Sequence, residues 1–251
     1  MCRHIAFLGR PTALGELLVE PPYGLLRQSW APRRQRYGTV NADGFGVGWY
    51  AQGDPVPARY RRAGPVWADQ SFADLVRVVR SEALLAAVRD ATEAGADGEA
   101  AAAPFAAGPW LFSHNGAVRG WPGSVAPLAA ALPAAELLSL ESRCDSAFVW
   151  ALVMHRLRDG DEMGEALAGT VLEVAAAAPE SRLNLLLTDG VTITATAWGD
   201  TLWYLAGPGR STVVASEPYD DDPHWCEVPD RTLLVATGTD VLLTPLKEPS
   251  A

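Results

Sequence analysis

Cys2 stands behind a single Met1. Removal of the initiator methionine before a small side chain would leave a chain that begins with cysteine. A free α-amino group ionises at about 7.7–8.0 and a free thiol at about 8.5, so the amine can take the thiol's proton near neutral pH. One residue then supplies nucleophile and base. The thiolate is the attacking species, and an N-terminal amine can activate a neighbouring nucleophile, so the predicted chemistry is acyl transfer. The plain alternative is that Cys2 is a small buried residue opening a strand over Cys2–Leu8, and a retained Met1 would favour it.

Three further constellations could serve such a nucleophile. In His114-Asn115-Gly116 a side-chain amide and the next backbone N–H are two donors that can converge on a developing oxyanion; the same dipeptide also reads as a turn ending a strand over Trp110–Phe112. Arg89 offers a planar fork suited to a carboxylate, and Thr92, three residues on, adds a hydroxyl or backbone donor; the alternative is a surface arginine. Asp145, in Ser142-Arg143-Cys144-Asp145-Ser146, begins a predicted helix. There it either meets the helix dipole as a cap or holds a substrate ammonium group. Taken jointly, these residues ask for a ligand with a carboxylate, an ammonium and an acyl carbon, which is the layout of a γ-glutamyl group.

With Asn41-Ala42-Asp43-Gly44-Phe45-Gly46 and Arg89-Asp90-Ala91-Thr92 added in the same order along the chain, the sequence resembles the class II glutamine amidotransferases of the N-terminal-nucleophile (Ntn) hydrolase superfamily over roughly its first 150 residues. The resemblance implies Cys2 as nucleophile, Asn115 and Gly116 as the oxyanion hole, and Arg89, Thr92 and Asp145 as the cradle of the glutamyl end. It also implies that the Asp43-Gly44 loop lines the nucleophile, and that the fold is α+β in four αββα layers, two antiparallel sheets between helical layers. Ala102 and Ala103 precede Pro104-Phe105 where members often carry Asn and His, so no role is carried over there. Met1 to His4, Asp43 to Tyr50 and Trp110 to Gly116 look most like the amidohydrolases of ergothioneine biosynthesis. That implies a stand-alone hydrolase of γ-glutamyl-hercynylcysteine sulfoxide, releasing glutamate. Other γ-glutamyl compounds (glutamine, glutathione) are the alternatives within the superfamily, and a non-catalytic γ-glutamyl-binding or assembly subunit is the one outside it. The leaving group's trimethylammonium suits aromatic faces; Trp30, Trp49, Trp110 and Trp121 are nearest the motifs, as cage or as core.

The elements that must position these residues follow from periodicity. Strands are predicted at Cys2–Leu8, at Phe45–Trp49 with glycines that permit close backbone approach, at Arg59–Arg62 and at Leu84–Arg89. A helix is expected at Ser71–Val79. Thr92–Gly108, low in complexity, reads as a mobile surface loop. Helices follow at Val125–Ala131, Asp145–Leu157 and Glu162–Ala178, closed by Pro179. A hairpin spans Arg182–Leu187 and Val191–Ala197 about Gly190, then strands at Thr201–Leu205, Thr212–Ser216, Thr232–Ala236 and Val241–Thr244. Strands, helices, then strands argue for one α+β domain over 2–251, helices packed outside antiparallel sheet.

The chain has 251 residues, with 20 basic against 30 acidic side chains and a formal charge of −10. That charge repels polyanions, so no nucleic-acid partner is expected. Cys2, Cys144 and Cys226 form neither a C-x-x-C pair nor an even disulfide framework, which suits a reducing cytoplasm. No apolar run approaches the ~20 residues needed to span a bilayer, and no signal-peptide core is present. His4, His155 and His224 lack metal-ligand spacing and read as structural; Asp220-Asp221-Asp222 reads as a solvated turn. The glycines of 43–48 alternate within a strand and give no phosphate loop. No cofactor or metal is expected. Oligomeric state stays open.

Overall fold

The computed structural model describes residues 2–38, 40–91, 98–207 and 211–247. Among the described residues the strands form two antiparallel sheets. The first has the order β11 (Cys226–Glu227), β9 (Trp203–Leu205), β10 (Thr212–Ala215), β1 (Arg3–Ala13), β4 (Arg80–Val88), β2 (Phe45–Trp49), β3 (Ala58–Arg62). The second runs β13 (Val241–Pro245), β12 (Thr232–Ala236), β8 (Ile193–Ala197), β7 (Arg182–Thr188), β6 (Trp110–Ala117), β5 (Phe105–Ala107). The helices are α1 (Leu14–Leu18), α2 (Leu25–Gln28), α3 (Gln70–Val78), α4 (Ala126–Ala131), α5 (Ala134–Leu138), α6 (Asp145–Arg158) and α7 (Met163–Ala177).

Period-two alternation sorts the buried residues into three layers. In β1, Ala6 and Leu8 face the second sheet while Ile5 and Phe7 face α1 and α3; in β4, Ala83 and Leu85 do the first and Leu84, Ala86 and Val88 the second. In β7, Leu186 points between the sheets and Leu183, Leu185 and Leu187 point at α6 and α7. Helix, sheet, sheet, helix is the four-layer αββα arrangement expected. Close approach of the sheets at β2 needs its glycines. A Cβ on Gly46 would lie 2.5 Å from the Ala103 carbonyl, and one on Gly48 2.7 Å from the Leu111 side chain.

Three expectations change. β1 continues past Gly9 and Pro11 to Ala13, because its pairing with β4 shifts register between Leu8 and Thr12 and absorbs both residues there. His114-Asn115-Gly116 is not a turn. β6 runs through it, with Asn115 opposite Asn184 and Gly116 opposite Leu183, and the chain reverses only after Ala117. Of the stretch read as a surface loop, residues 92–97 lie outside the described residues. Beyond them, Gly98–Ala101 is a 3₁₀ turn and β5 pairs with β6, with Ala101, Ala102 and Phe105 buried. Small apolar side chains there pack in the core rather than coat a surface. α1, α2 and α5 were not anticipated.

Candidate active site

Cys2 sits at the mouth of β1, a central strand held on one side by β4 and on the other by β10, so backbone pairing on both flanks fixes where the thiol points. It is a free, half-buried cysteine. Burial pushes its thiol above the ordinary range, while a backbone hydrogen bond from Asp90 and the charge of Arg89 pull the other way.

A cavity of about 630 Å³ opens beside it, lined by Cys2, Arg89, Gly116 and Asp145 among others. Four of the six sequence-predicted site residues, from four parts of the chain, thus share one wall system. Arg89 follows the end of β4, where the Asp43-Gly44 loop holds it. Arg89 N–H donates to the Gly44 carbonyl at 2.7 Å, Asp43 N–H to the Arg89 carbonyl at 2.9 Å, and Arg89 Nη1 to the Asp43 carbonyl at 3.2 Å. Asp43 Oδ2 also accepts from Ala91 N–H at 2.8 Å. The loop therefore braces the arginine segment from behind and is not itself among the residues that line this cavity.

Asp145 is the first residue of α6. Its Oδ1 accepts from Ser146 N–H at 2.8 Å, and its Oδ2 from Val118 N–H at 2.9 Å. The carboxylate thereby meets the positive end of the helix dipole and pins the turn after β6 to the helix. Gly116 is demanded by crowding as well as by any role, since a Cβ there would fall 1.8 Å from the Arg182 carbonyl oxygen. On its β5 side, β6 is paired only over Trp110–Phe112, so from Ser113 to Ala117 that edge has no strand neighbour among the described residues.

Asn115 does not line the cavity. Alternation turns its side chain between the sheets, where Nδ2 donates to Ser216 Oγ at 3.3 Å and Oδ1 is buried without a hydrogen-bond partner. The same Ser216 Oγ accepts from His4 N–H at 3.0 Å, which sets the amide beside β1 two residues beyond the nucleophile. Thr92 lies outside the described residues.

Sequence reasoning missed several neighbours. His114 Nε2 lies 2.9 Å from the Arg182 carbonyl and Nδ1 lies 3.0 Å from Ser146 Oγ. A carbonyl only accepts, so Nε2 carries a proton and donates it to Arg182. His4 Nδ1 meets Ser113 Oγ at 3.2 Å. Burial first, then the charges of Arg3 and His114, lower its pKa to about 3, which keeps it neutral. Tyr37, Arg119, Trp121, Glu180 and Arg182 complete much of the cavity; only Trp121 had a sequence signal. Of the other tryptophans near the motifs, Trp30 is exposed, and neither it, Trp49 nor Trp110 lines this cavity. No group of three or more His, Cys, Asp or Glu among the described residues could hold a metal, and no described helix is long and apolar enough to cross a membrane.

Comparison with known proteins follows the same lines. Residues 25–208 match the family described as class-II glutamine amidotransferases. The chain is 46% identical over 247 residues to the γ-glutamyl-hercynylcysteine sulfoxide hydrolase of Mycolicibacterium smegmatis, covering 98% of this chain and 100% of that one. It is 44% identical to the protein of that name from Mycobacterium tuberculosis, covering 98% and 97%. Among solved structures, a glutamine aminotransferase class-II domain protein from Silicibacter pomeroyi superposes with a TM-score of 0.69 at 21% identity, over 99% of this chain and all of that one. The glutamine phosphoribosylpyrophosphate amidotransferase of B. subtilis superposes at 0.68 with 14% identity, over 99% of this chain and 50% of that one. These last two are likenesses of fold.

Proposed function

The chain belongs to the class-II glutamine amidotransferases, and from that premise we propose that it is a hydrolase of γ-glutamyl-hercynylcysteine sulfoxide, acting through Cys2 as an N-terminal nucleophile within one catalytic domain over residues 2–251. The observation that carries the reading is the meeting of Cys2, Arg89, Gly116 and Asp145 on one cavity, in a chain that aligns end to end with relatives named for that hydrolysis.

The chemistry is that of a single residue with two functions. Once Met1 is removed, the Cys2 amine accepts the thiol proton, and sulfur attacks the γ-carbonyl carbon. The oxygen becomes an oxyanion facing the Gly116 N–H, and the Asn115 amide is the second donor in this reading. Collapse breaks the C–N bond; the departing amine takes the proton back from the Cys2 ammonium, and glutamate stays as a thioester on sulfur. Water, deprotonated by the same amine, attacks the thioester and releases glutamate and free thiol. Arg89 pairs with the α-carboxylate, Asp145 with the α-ammonium, and Thr92 adds a donor. The amine's acceptance of the proton is the step that turns the thiol into the attacking thiolate in this reading.

The reading assigns the protein a small-molecule γ-glutamyl substrate, no nucleic-acid partner and a cytoplasmic setting. Intact-mass measurement should find the chain without Met1, and purified enzyme should release glutamate from the sulfoxide conjugate far faster than from glutamine. Cys2→Ala should abolish turnover while still binding the conjugate. Faster turnover of free glutamine would overturn the substrate, and full activity with Met1 retained would overturn the mechanism.

A further inference from the structure

The glutamyl cradle uses only part of the cavity. Its volume of about 630 Å³ is in the range that encloses a drug-sized ligand, and its far wall comes from three connections: Tyr37 in the segment before β2, Arg119 to Trp121 after β6, and Glu180 to Arg182 between α7 and β7. They are tied together. Arg119 N–H donates to Ser181 Oγ at 3.0 Å, Ser181 Oγ donates to the Ala178 carbonyl at 2.6 Å, and the Arg182 guanidinium lies over the Tyr37 ring, 4.2 Å from its centre.

Two residues of this wall are held in ways that packing alone does not require. Glu180 has φ of 67°, a left-handed conformation that a side chain other than glycine or asparagine rarely adopts. A turn built for shape would carry glycine there; the carboxylate is what glutamate adds. Arg182 has Nε buried without a hydrogen-bond partner, and neither Arg182 nor Glu180 forms an ion pair among the described residues. Arg182 is thus oriented by Tyr37 with its Nε donor unspent.

The charge count of the cavity has the same sense. Arg89, Arg119, Arg143 and Arg182 face Asp90, Asp145 and Glu180, one net positive charge in a chain of net −10. γ-Glutamyl-hercynylcysteine sulfoxide carries three carboxylates and two cationic nitrogens, one net negative charge. After Arg89 and Asp145 take the glutamyl ends, two carboxylates and a trimethylammonium remain on the leaving group.

Resting on the proposed function, we propose that the Glu180–Arg182 turn, with Trp121, is the leaving-group subsite: Arg182 pairs with a carboxylate of the leaving group, and Glu180 with the Trp121 face receives the trimethylammonium. A quaternary nitrogen has no N–H to donate, so a carboxylate and an aromatic face are the groups that recognise it, and a guanidinium fork recognises a carboxylate bidentately.

The test compares wild type, Arg182→Gln and Glu180→Gly on the sulfoxide conjugate and on γ-glutamyl-p-nitroanilide, which has the glutamyl end without the charged leaving group. The expected result is a KM for the conjugate raised at least tenfold in each variant, with anilide turnover within twofold of wild type. Glu180→Gly should also melt higher than wild type, because it relieves the backbone while removing the carboxylate; a structural role would lower both stability and affinity. Unchanged KM for the conjugate, or equal losses on both substrates, would overturn the subsite and leave the hydrolase reading standing. A wild-type enzyme active on the anilide and inert on the conjugate would overturn the hydrolase reading and the subsite with it.

Discussion

His4 and Cys2, two residues apart, both lose by acidification, the first in stability and the second in activity. His4 is buried and its folded-state pKa of about 3 is below the unfolded value of about 6.5. Between those values the unfolded chain binds a proton that the folded chain refuses, so stability falls as pH drops through that window. Lowering pH from 7 to 5 should cost about 2 kcal/mol through this residue alone, read by urea denaturation at the two pH values. His4→Asn, which keeps a side-chain polar group near the Ser113 hydroxyl, should flatten the difference. At Cys2 the working group of the proposed mechanism is the amine, so kcat/KM should fall tenfold per unit below an apparent pKa of about 7 to 8. A profile flat down to pH 5 would remove the amine as base. That Cys2, Arg89 and Asp145 meet on one cavity was legible in residue type and order. The roles of Glu180 and Arg182 were not, because backbone strain and an unspent donor exist only once the chain is folded.

Among elements, β6 is where sequence and structure differ most usefully. Asn-Gly favours turns, yet here the glycine is fixed by the Arg182 carbonyl that crosses it. Adding a methyl there forces β6 and β7 apart. Gly116→Ala should therefore destabilise the protein by about 1–3 kcal/mol, measured by chemical denaturation, and should lower activity, since Arg182 and the Gly116 N–H move together. Stability within 0.5 kcal/mol of wild type would contradict the crowding. Helices α6 and α7, at 14 and 15 residues, are long enough for apolar spacing to reveal them. α1, α2 and α5, at four or five residues, hold about one turn each, and one turn has no period to read. β5 escaped for a different reason: its alanines pack by smallness, which composition reports as low complexity.

At the scale of the molecule, the two sheets are joined beside the nucleophile by a buried ion pair. Arg3, next to Cys2 on β1, has its Nη2 3.6 Å from Asp200 Oδ2, both side chains fully buried, and Asp200 belongs to the crossing from β8 in one sheet to β9 in the other. Glu217 adds a second carboxylate near Arg3 and accepts from the Arg33 and Arg34 N–H groups at 2.9 and 2.7 Å. Asp200→Ala would leave a guanidinium in the interior without its ion-pair partner, at a cost of about 3–5 kcal/mol, visible as a lowered urea midpoint. A loss below about 1 kcal/mol would mean that Glu217 or water already neutralises Arg3. The placement of β1 at the heart of its sheet, with Cys2 opening onto the cavity, also bears on how the protein can be handled. An affinity tag fused ahead of Met1 would have to leave through the reaction chamber and would acylate the one amine that matters. Such a fusion should purify as a folded, inert protein, and protease release of a native cysteine terminus should switch it on.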